Sequence, residues 1–364
     1  MQSPHTRSEL IEVGGSPVMS KGIGLASLLD NWAGSEPSRI ALVSILKAIT
    51  GASIRLSRSI AGSDLLDLDG LGGDLNADGD TRKPLDLFAH QIFVDALANM
   101  PVAFIVSKEA EAAIEIDPGA RYGVAIDPLD GSSNIETNLS IGTIFSVLES
   151  SVDELLTVPP GERQRVAGFV CYGPQTRLVL NYGEGSLIFL LDPETGDFRS
   201  VGAPLAIPSG WCEFAINVSN YRFWEQNVKH FIDDCIAGEN GNLGRDFNMR
   251  WNASLVAEAF RVLARGGVFL YPGDSRPGYA NGRLRLLYEA LPLAMIVEQA
   301  GGSASDGCNR ILELPLKSLH QRVPLIFGSR DRVEEVIGYV AGTAVEATRF
   351  PLFEHRGLLR IPSR

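Results

Sequence analysis

The stretch Asp127-Pro128-Leu129-Asp130-Gly131-Ser132-Ser133-Asn134 follows directly on Tyr122 to Ile126, a short apolar run of strand type. A strand therefore delivers two carboxylates, three residues apart, to its C-terminal end. Pro128 restricts the backbone between them and removes one donor, which leaves the Leu129 carbonyl as a candidate oxygen ligand. Magnesium takes hard oxygen ligands in octahedral geometry at about 2.0–2.1 Å. Asp127, the Leu129 carbonyl and Asp130 supply that ligand type from one turn. Gly131 lets the chain turn tightly, and Ser132 and Ser133 offer hydroxyls and successive N–H groups that suit phosphate oxygens. An isolated Asp-Gly-Ser is more simply an Asx turn with a capping serine. The whole string in its context after a strand favours metal and phosphate chemistry instead.

Outward from this stretch, elements of both kinds alternate. Arg39 to Thr50 carries Leu42, Ile45, Leu46 and Ile49 at helical spacing, and Gly51 interrupts the pattern. Asp67 to Asp80 is rich in Gly and Asp and reads as a mobile surface loop. Leu85 to Met100 again has helical spacing, and Val102 to Val106 reads as a strand. Leu139 to Leu148, Val166 to Tyr172, Leu178 to Tyr182 and Leu187 to Leu191 read as an antiparallel sheet. Pro204, Pro208 and Gly210 mark a boundary between halves, 1–205 and 206–364. Beyond it, Phe214 to Asn217 and Val268 to Tyr271 read as strands, and Asn220 to Ala237, Asn252 to Ala264 and Leu291 to Ala300 as helices. The alternation predicts a layered α/β fold, and 364 residues exceed what a single core usually serves.

The formal charge of −12 argues against a nucleic-acid partner, which calls for a basic face. It also means that an anionic substrate needs local cations, from Lys and Arg or from a bound metal. Cys171, Cys212, Cys235 and Cys308 form no CxxC pair, so a zinc site and a disulfide framework are not expected. No run of about 18 apolar residues predicts a membrane span, and the polar start from Met1 to Leu10 is unlike a secretory signal. The expected location is the cytoplasm. Asp74-Leu75-Asn76-Ala77-Asp78-Gly79 matches the opening of a calcium-binding loop, but the closing position holds Leu85 rather than Glu.

The string Asp127 to Ser133 resembles the metal motif of a phosphatase superfamily that includes inositol monophosphatases and fructose-1,6-bisphosphatases. Its continuation Asn134-Ile135-Glu136, then Ile141-Gly142-Thr143-Ile144-Phe145, resembles the fructose-1,6-bisphosphatase branch. So do Gly266-Gly267-Val268-Phe269-Leu270-Tyr271-Pro272, Arg283 to Glu289, and Gly301-Gly302. The resemblance runs from about Ser38 to Val340, and the Trp-Asp-x-Ala-Ala string of the inositol branch is absent.

The resemblance implies an α-β-α-β-α sandwich of the sugar-phosphatase type in two sub-domains, and a homotetramer. It implies metal ligation by Asp127, the Leu129 carbonyl, Asp130 and Glu289, with Glu109 as a further carboxylate. Asp80 and Asp86 resemble the mobile-loop acid and a nearby acid that orients the attacking water. Asp130, Gly131, Ser132 and Ser133 would hold the reacting phosphate. Asn217 resembles a phosphate contact, Tyr271 and Arg283 resemble contacts to the sugar and its distal phosphate, and Arg250 resembles an arginine that reaches a neighbouring subunit. Read without the resemblance, Asp80 is a turn residue, Asp86 a helix cap and Glu289 a helix-start carboxylate.

Two departures stand out. Where the family has Ser-Glu-Glu, this chain has Ser107-Lys108-Glu109, which puts an ammonium in place of a ligand carboxylate. Where the family has Tyr, this chain has Trp251, whose indole donates a hydrogen bond but accepts none. Arg121-Tyr122 resembles part of the family's AMP site, whereas Ser35-Glu36-Pro37 does not follow its pattern. The implied activity is magnesium-dependent hydrolysis of the 1-phosphate of fructose 1,6-bisphosphate, with manganese as an alternative ion. Sedoheptulose 1,7-bisphosphate is the nearest alternative substrate. A non-catalytic sugar-phosphate binder is the alternative of another class, favoured by Lys108 alone.

Overall fold

The computed structural model describes residues 22–63 and 83–343, together with a hairpin of two short antiparallel strands, β1 (Ile11–Val13) and β2 (Ser16–Val18). Asp80 and the string from Asp74 to Gly79 lie outside the described residues.

Helices α1 (Leu25–Ala33), α2 (Pro37–Ala61) and α3 (Pro84–Leu97) precede the first sheet. That sheet contains β3 (Val102–Ser107), β4 (Ile114–Glu115), β5 (Tyr122–Asp130) and β6 (Ile141–Leu148). After short helices α4 (Val152–Leu155) and α5 (Pro160–Arg163) come β7 (Gln164–Tyr172), β8 (Thr176–Asn181), β9 (Ser186–Leu191) and β10 (Phe198–Ser200). The eight strands lie in the order β10-β9-β8-β7-β6-β5-β3-β4. The run from β6 to β9 is the expected antiparallel sheet, which β5 and β10 extend as an antiparallel meander, and β3 pairs with β5 in parallel.

The second sheet, in the order β12-β11-β13-β17-β15, holds β11 (Glu213–Ala215), β12 (Asn248–Met249), β13 (Val268–Tyr271), β15 (Ser303–Ser305) and β17 (Leu325–Gly328). A two-stranded piece pairs β14 (Leu284–Arg285) with β16 (Arg322–Val323). Helices α6 (Gln226–Ala237), α7 (Leu255–Arg265), α8 (Leu291–Gln299) and α9 (Arg330–Val340) complete this half.

Every residue of β3, β5 and β6 is buried. Strands covered on both faces read as continuous apolar runs rather than alternating ones, and the packing shows the cause. Val124 and Ile126 join the core formed with α1, α2 and α3. Ala125 between them joins the core on the opposite face, with Val256 and Ala259 of α7 and Leu293 and Val297 of α8. The other side of that middle layer packs on Phe269 and Phe327 of the second sheet. Phe231 and Ile232 of α6 and Val333 and Val336 of α9 cover the outer face. The layers are thus α-β-α-β-α, as expected.

Two expectations need correction. Gly51 does not end its helix: α2 runs on to Ala61. A mid-helix glycine costs about 1 kcal/mol relative to alanine, and burial of Ala52, Ser53 and Leu56 beyond it outweighs that. Similarly, no single helix spans Asn220 to Ala237. A 3-10 turn over Val218–Phe223 is separated from α6 by the extended backbone of Trp224. By length and mean hydropathy (1.5), α2 could cross a membrane, but half of the qualifying window is buried, with Ile45, Leu46 and Ile49 wholly enclosed. That is how a core helix behaves.

Candidate metal and phosphate site

The tip of β5 is irregular where the motif begins. Its pairing with β6 steps from Asp127↔Ile144 to Asp130↔Gly142, so three steps along β5 match two along β6. Pro128, which has no N–H to give to the ladder, lies inside this bulge, and bulges re-aim side chains. The Thr143 hydroxyl donates to the Pro128 carbonyl at 2.8 Å and fixes the distortion from the neighbouring strand. Beyond it, Gly131 takes φ +75, and a Cβ there would stand 3.2 Å from that of Ser254. Only glycine meets both demands without strain. The turn then enters a 3-10 helix, Ser132–Thr137, too short to act as a helix dipole.

Asp127, Asp130 and Glu289 converge, with one ligand oxygen from each lying within 4.8 Å of the others, and all three are buried. Glu289 arrives from a π-helical turn, Leu286–Ala290, that opens into α8. One of its oxygens accepts from the Arg285 N–H. Asp130 Oδ2 accepts from the Val256 N–H at 3.1 Å and from the Ser254 hydroxyl at 3.4 Å, so the first turn of α7 grips it.

Lys108 enters the same group. Its backbone N–H donates to the Ile126 carbonyl at 3.1 Å, fixing the residue beside β5. Its Nζ stands 2.8 Å from Asp127 Oδ2 and 3.4 Å from Glu289 Oε1. Burial alone would lower the ammonium's pKa, but Asp127, Glu289 and Asp130 outweigh it and hold the group well above its ordinary value. Burial, with the charge of Asp127 adding to it, pushes Asp130 up to about 6. Burial likewise pushes Glu289 up to about 7, against the pull of Lys108. The cluster thus holds more negative charge than its dry surroundings favour. Three hard carboxylate oxygens in that state form a donor set that fits a divalent cation.

Of the other expected acids, Asp86 lies beside this group. Burial raises its pKa, the Lys83 N–H and the charge of Lys108 oppose that, and the charge of Asp127 adds to it. It also accepts from the Lys83 N–H at 3.2 Å, so the helix-capping role is filled as well. Glu109 is buried next door, where its N–H meets the Ser107 hydroxyl at 3.2 Å, but it is not one of the three converging carboxylates. The structure brings Lys108 to them instead.

On the substrate side, Ser132 is half-buried and Ser133 exposed at the head of the 3-10 turn. Tyr271 and Arg283 lie close together: burial raises the tyrosine's pKa and the arginine's charge opposes it, while the guanidinium lies 5.1 Å from the Tyr279 ring centre. Asn217 caps the 3-10 turn after β11, accepting from the Ser219 N–H at 3.2 Å and hydroxyl at 2.6 Å. Arg250 is exposed, with its Nε 3.5 Å from Glu213. Trp251 stacks on Phe269 at 6.1 Å between ring centres and leans on Tyr271 at 6.3 Å, a packing role that needs no acceptor. Ser254 was not anticipated; its place directly before the apolar run of α7 marks it as an N-cap, and it does cap Ala257.

Fold and site together define the class first: an α-β-α-β-α sandwich of the sugar-phosphatase type, with a buried acidic cluster at a strand tip. Comparison with known proteins narrows this. The family model "Fructose-1-6-bisphosphatase, N-terminal domain" matches residues 28–202, and "Fructose-1-6-bisphosphatase, C-terminal domain" matches residues 207–341. The class 1 fructose-1,6-bisphosphatase of Rhodopseudomonas palustris (strain BisB18) is 48% identical over 344 residues, covering 94% of this chain and 100% of that protein. The corresponding Azorhizobium caulinodans protein is 47% identical over 324 residues, covering 87% and 99%. The crystal structure of Leishmania major fructose-1,6-bisphosphatase in holo form aligns with a TM-score of 0.80 at 33% identity, covering 87% of this chain and 98% of that one. The chain belongs to the fructose-1,6-bisphosphatase family.

Proposed function

We propose that this chain hydrolyses the 1-phosphate of D-fructose 1,6-bisphosphate to give fructose 6-phosphate and phosphate. Family membership over both halves supports the reading, and one observation carries it to this chain's own residues. The buried carboxylates Asp127, Asp130 and Glu289 converge next to a turn that offers Ser132 and Ser133. Magnesium, or manganese in its place, would be held by those three with the Leu129 carbonyl and Glu109 as further donors. Bound there, a divalent ion would screen phosphate charge and ease deprotonation of water.

The remaining roles belong to the chain. Ser132 and Ser133 hold the reacting phosphate. Asp86, and Asp80 from outside the described residues, orient the water. Arg283 takes the distal phosphate with a guanidinium fork suited to it, Tyr271 packs against the sugar, and Asn217 makes a further phosphate contact. Metal binding is assigned to the 1–205 half, with Glu289 reaching across from the 206–364 half that takes the sugar bisphosphate. A cytoplasmic homotetramer, with Arg250 serving a neighbouring site, follows from the same family ground.

The rival reading, a binder without turnover, rests on the Lys108 contact to Asp127. Phosphate release separates the two. Purified chain with magnesium and fructose 1,6-bisphosphate is expected to release one phosphate and form fructose 6-phosphate. Binding of the bisphosphate without any release would establish the rival.

A further inference from the structure

A lysine at a strand end next to solvent ordinarily runs its stem along the surface and keeps its head in water. Lys108 does the opposite. Its side chain is only 19% exposed, and Nζ lies against Asp127 Oδ2 and Glu289 Oε1 at 2.8 and 3.4 Å. Those two carboxylates come from different sheets' surroundings, β5 and the turn before α8, so the ammonium bridges them as an ion would. The ammonium offsets one of the three converging charges, and buried Asp86 and Glu109 lie close by as further acids. The remaining oxygens do not close the group: Asp127 Oδ1 is 3.3 Å from the Leu129 N–H, a long contact that a cation can displace.

We infer that Lys108 is a fixed cation of the site, its ammonium standing where a second metal ion would otherwise sit, so that Asp127, Asp130 and Glu289 take one divalent ion per chain. The inference rests on the metal-site reading above and specifies its stoichiometry. A tethered charge cannot be lost at low metal concentration, so the cluster stays assembled in the metal-free protein. An ammonium is also a compact point charge of the kind that meets phosphate oxygens.

The test counts ions rather than turnover. Full-length chain is equilibrated by dialysis against Mn²⁺, and bound manganese is measured by atomic emission for wild type, Lys108→Glu and Lys108→Met. Wild type is expected to bind one ion per chain, and Lys108→Glu two. Lys108→Met is expected to bind its first ion at least roughly tenfold more tightly, because a nearby like charge is gone, and to melt at lower temperature than wild type when metal-free. The wild-type count decides the matter even if a variant fails to fold. Two or more ions per wild-type chain, or an unchanged metal-free melting temperature in Lys108→Met, would overturn the inference and leave the metal site standing. No bound manganese in any of the three would overturn both.

Discussion

Asp130 Oδ2, at the tip of β5, accepts a hydrogen bond of 3.1 Å from the N–H of Val256, in the first turn of α7. One carboxylate thus ties the first sheet to the layer between the sheets while facing the acidic cluster. The two duties can be separated by substitution. Asp130→Asn keeps an acceptor for Val256 and is expected to retain a near-native melting temperature while kcat/KM falls by about 100-fold or more, as the proposed ligand role of Asp130 requires. Asp130→Ala loses both and should also be less stable, by about 1–3 kcal/mol, because the Val256 N–H and the Ser254 hydroxyl lose their acceptor. Thermal melts and steady-state kinetics on the pair check this, and full activity in Asp130→Asn would remove Asp130 from the chemistry.

Gly131 occupies a left-handed conformation against Ser254. Gly131→Ala introduces a Cβ into that contact and costs about 1–2 kcal/mol for the backbone alone. Because the residue orients Ser132 and Ser133, the expected result is a lower melting temperature together with a raised KM for the bisphosphate. Loss of stability with unchanged KM would mean that the serines are not positioned by this turn.

In the proposed reading Arg283 and Tyr271 act together on the far end of the substrate, and the two residues lie close to each other. Arg283→Ala should raise KM for fructose 1,6-bisphosphate by about 10–100-fold, as expected for a lost charged hydrogen bond, and change kcat little. Arg283→Lys should recover part of the loss, since a point charge replaces a fork. A purely catalytic defect in Arg283→Ala would contradict the assignment.

The layered fold was legible because strands such as Tyr122 to Ile126 carry apolar residues on both faces, and the packing of Val124 and Ala125 into separate cores explains why. Half of the site was legible too, since Asp127 to Ser133 is contiguous and its turn chemistry is local. What local patterns do not carry is distance closure. Nothing near Glu289 announces that it meets Asp127, nothing in Asn252 to Ala264 tells which carboxylate the α7 terminus grips, and nothing beside Lys108 shows that its ammonium meets Asp127. Gly51 failed as a helix stop for the same reason, because burial on either side of it outweighed its own preference.

His320 predicts a pH effect through Tyr288, the chain neighbour of Glu289. Its Nε2 lies 3.1 Å from the Glu111 carbonyl, which only accepts, so that nitrogen carries the proton, and Nδ1 accepts from the Tyr288 hydroxyl at 2.9 Å. Burial is the main cause of a pKa below the ordinary 6.5, with backbone hydrogen bonds opposing it. A depressed folded value means that the unfolded chain takes up the proton first. The stability that neutral His320 contributes is therefore complete above about pH 6.5 and is lost as pH falls through the folded value. Urea unfolding at pH 7.5 and 5.5 should show wild type losing more stability on acidification than His320→Gln. Parallel losses would show that the imidazole is not held neutral.

Crystals grown with manganese, with anomalous scattering recorded at its absorption edge, probe the acidic strand tip directly. The expected map has one peak per chain at about 2.0–2.2 Å from oxygens of Asp127, Asp130 and Glu289, with the Lys108 ammonium still beside Asp127. A tip without anomalous density under saturating manganese and fructose 1,6-bisphosphate, its aspartates turned from the cleft, would contradict the account.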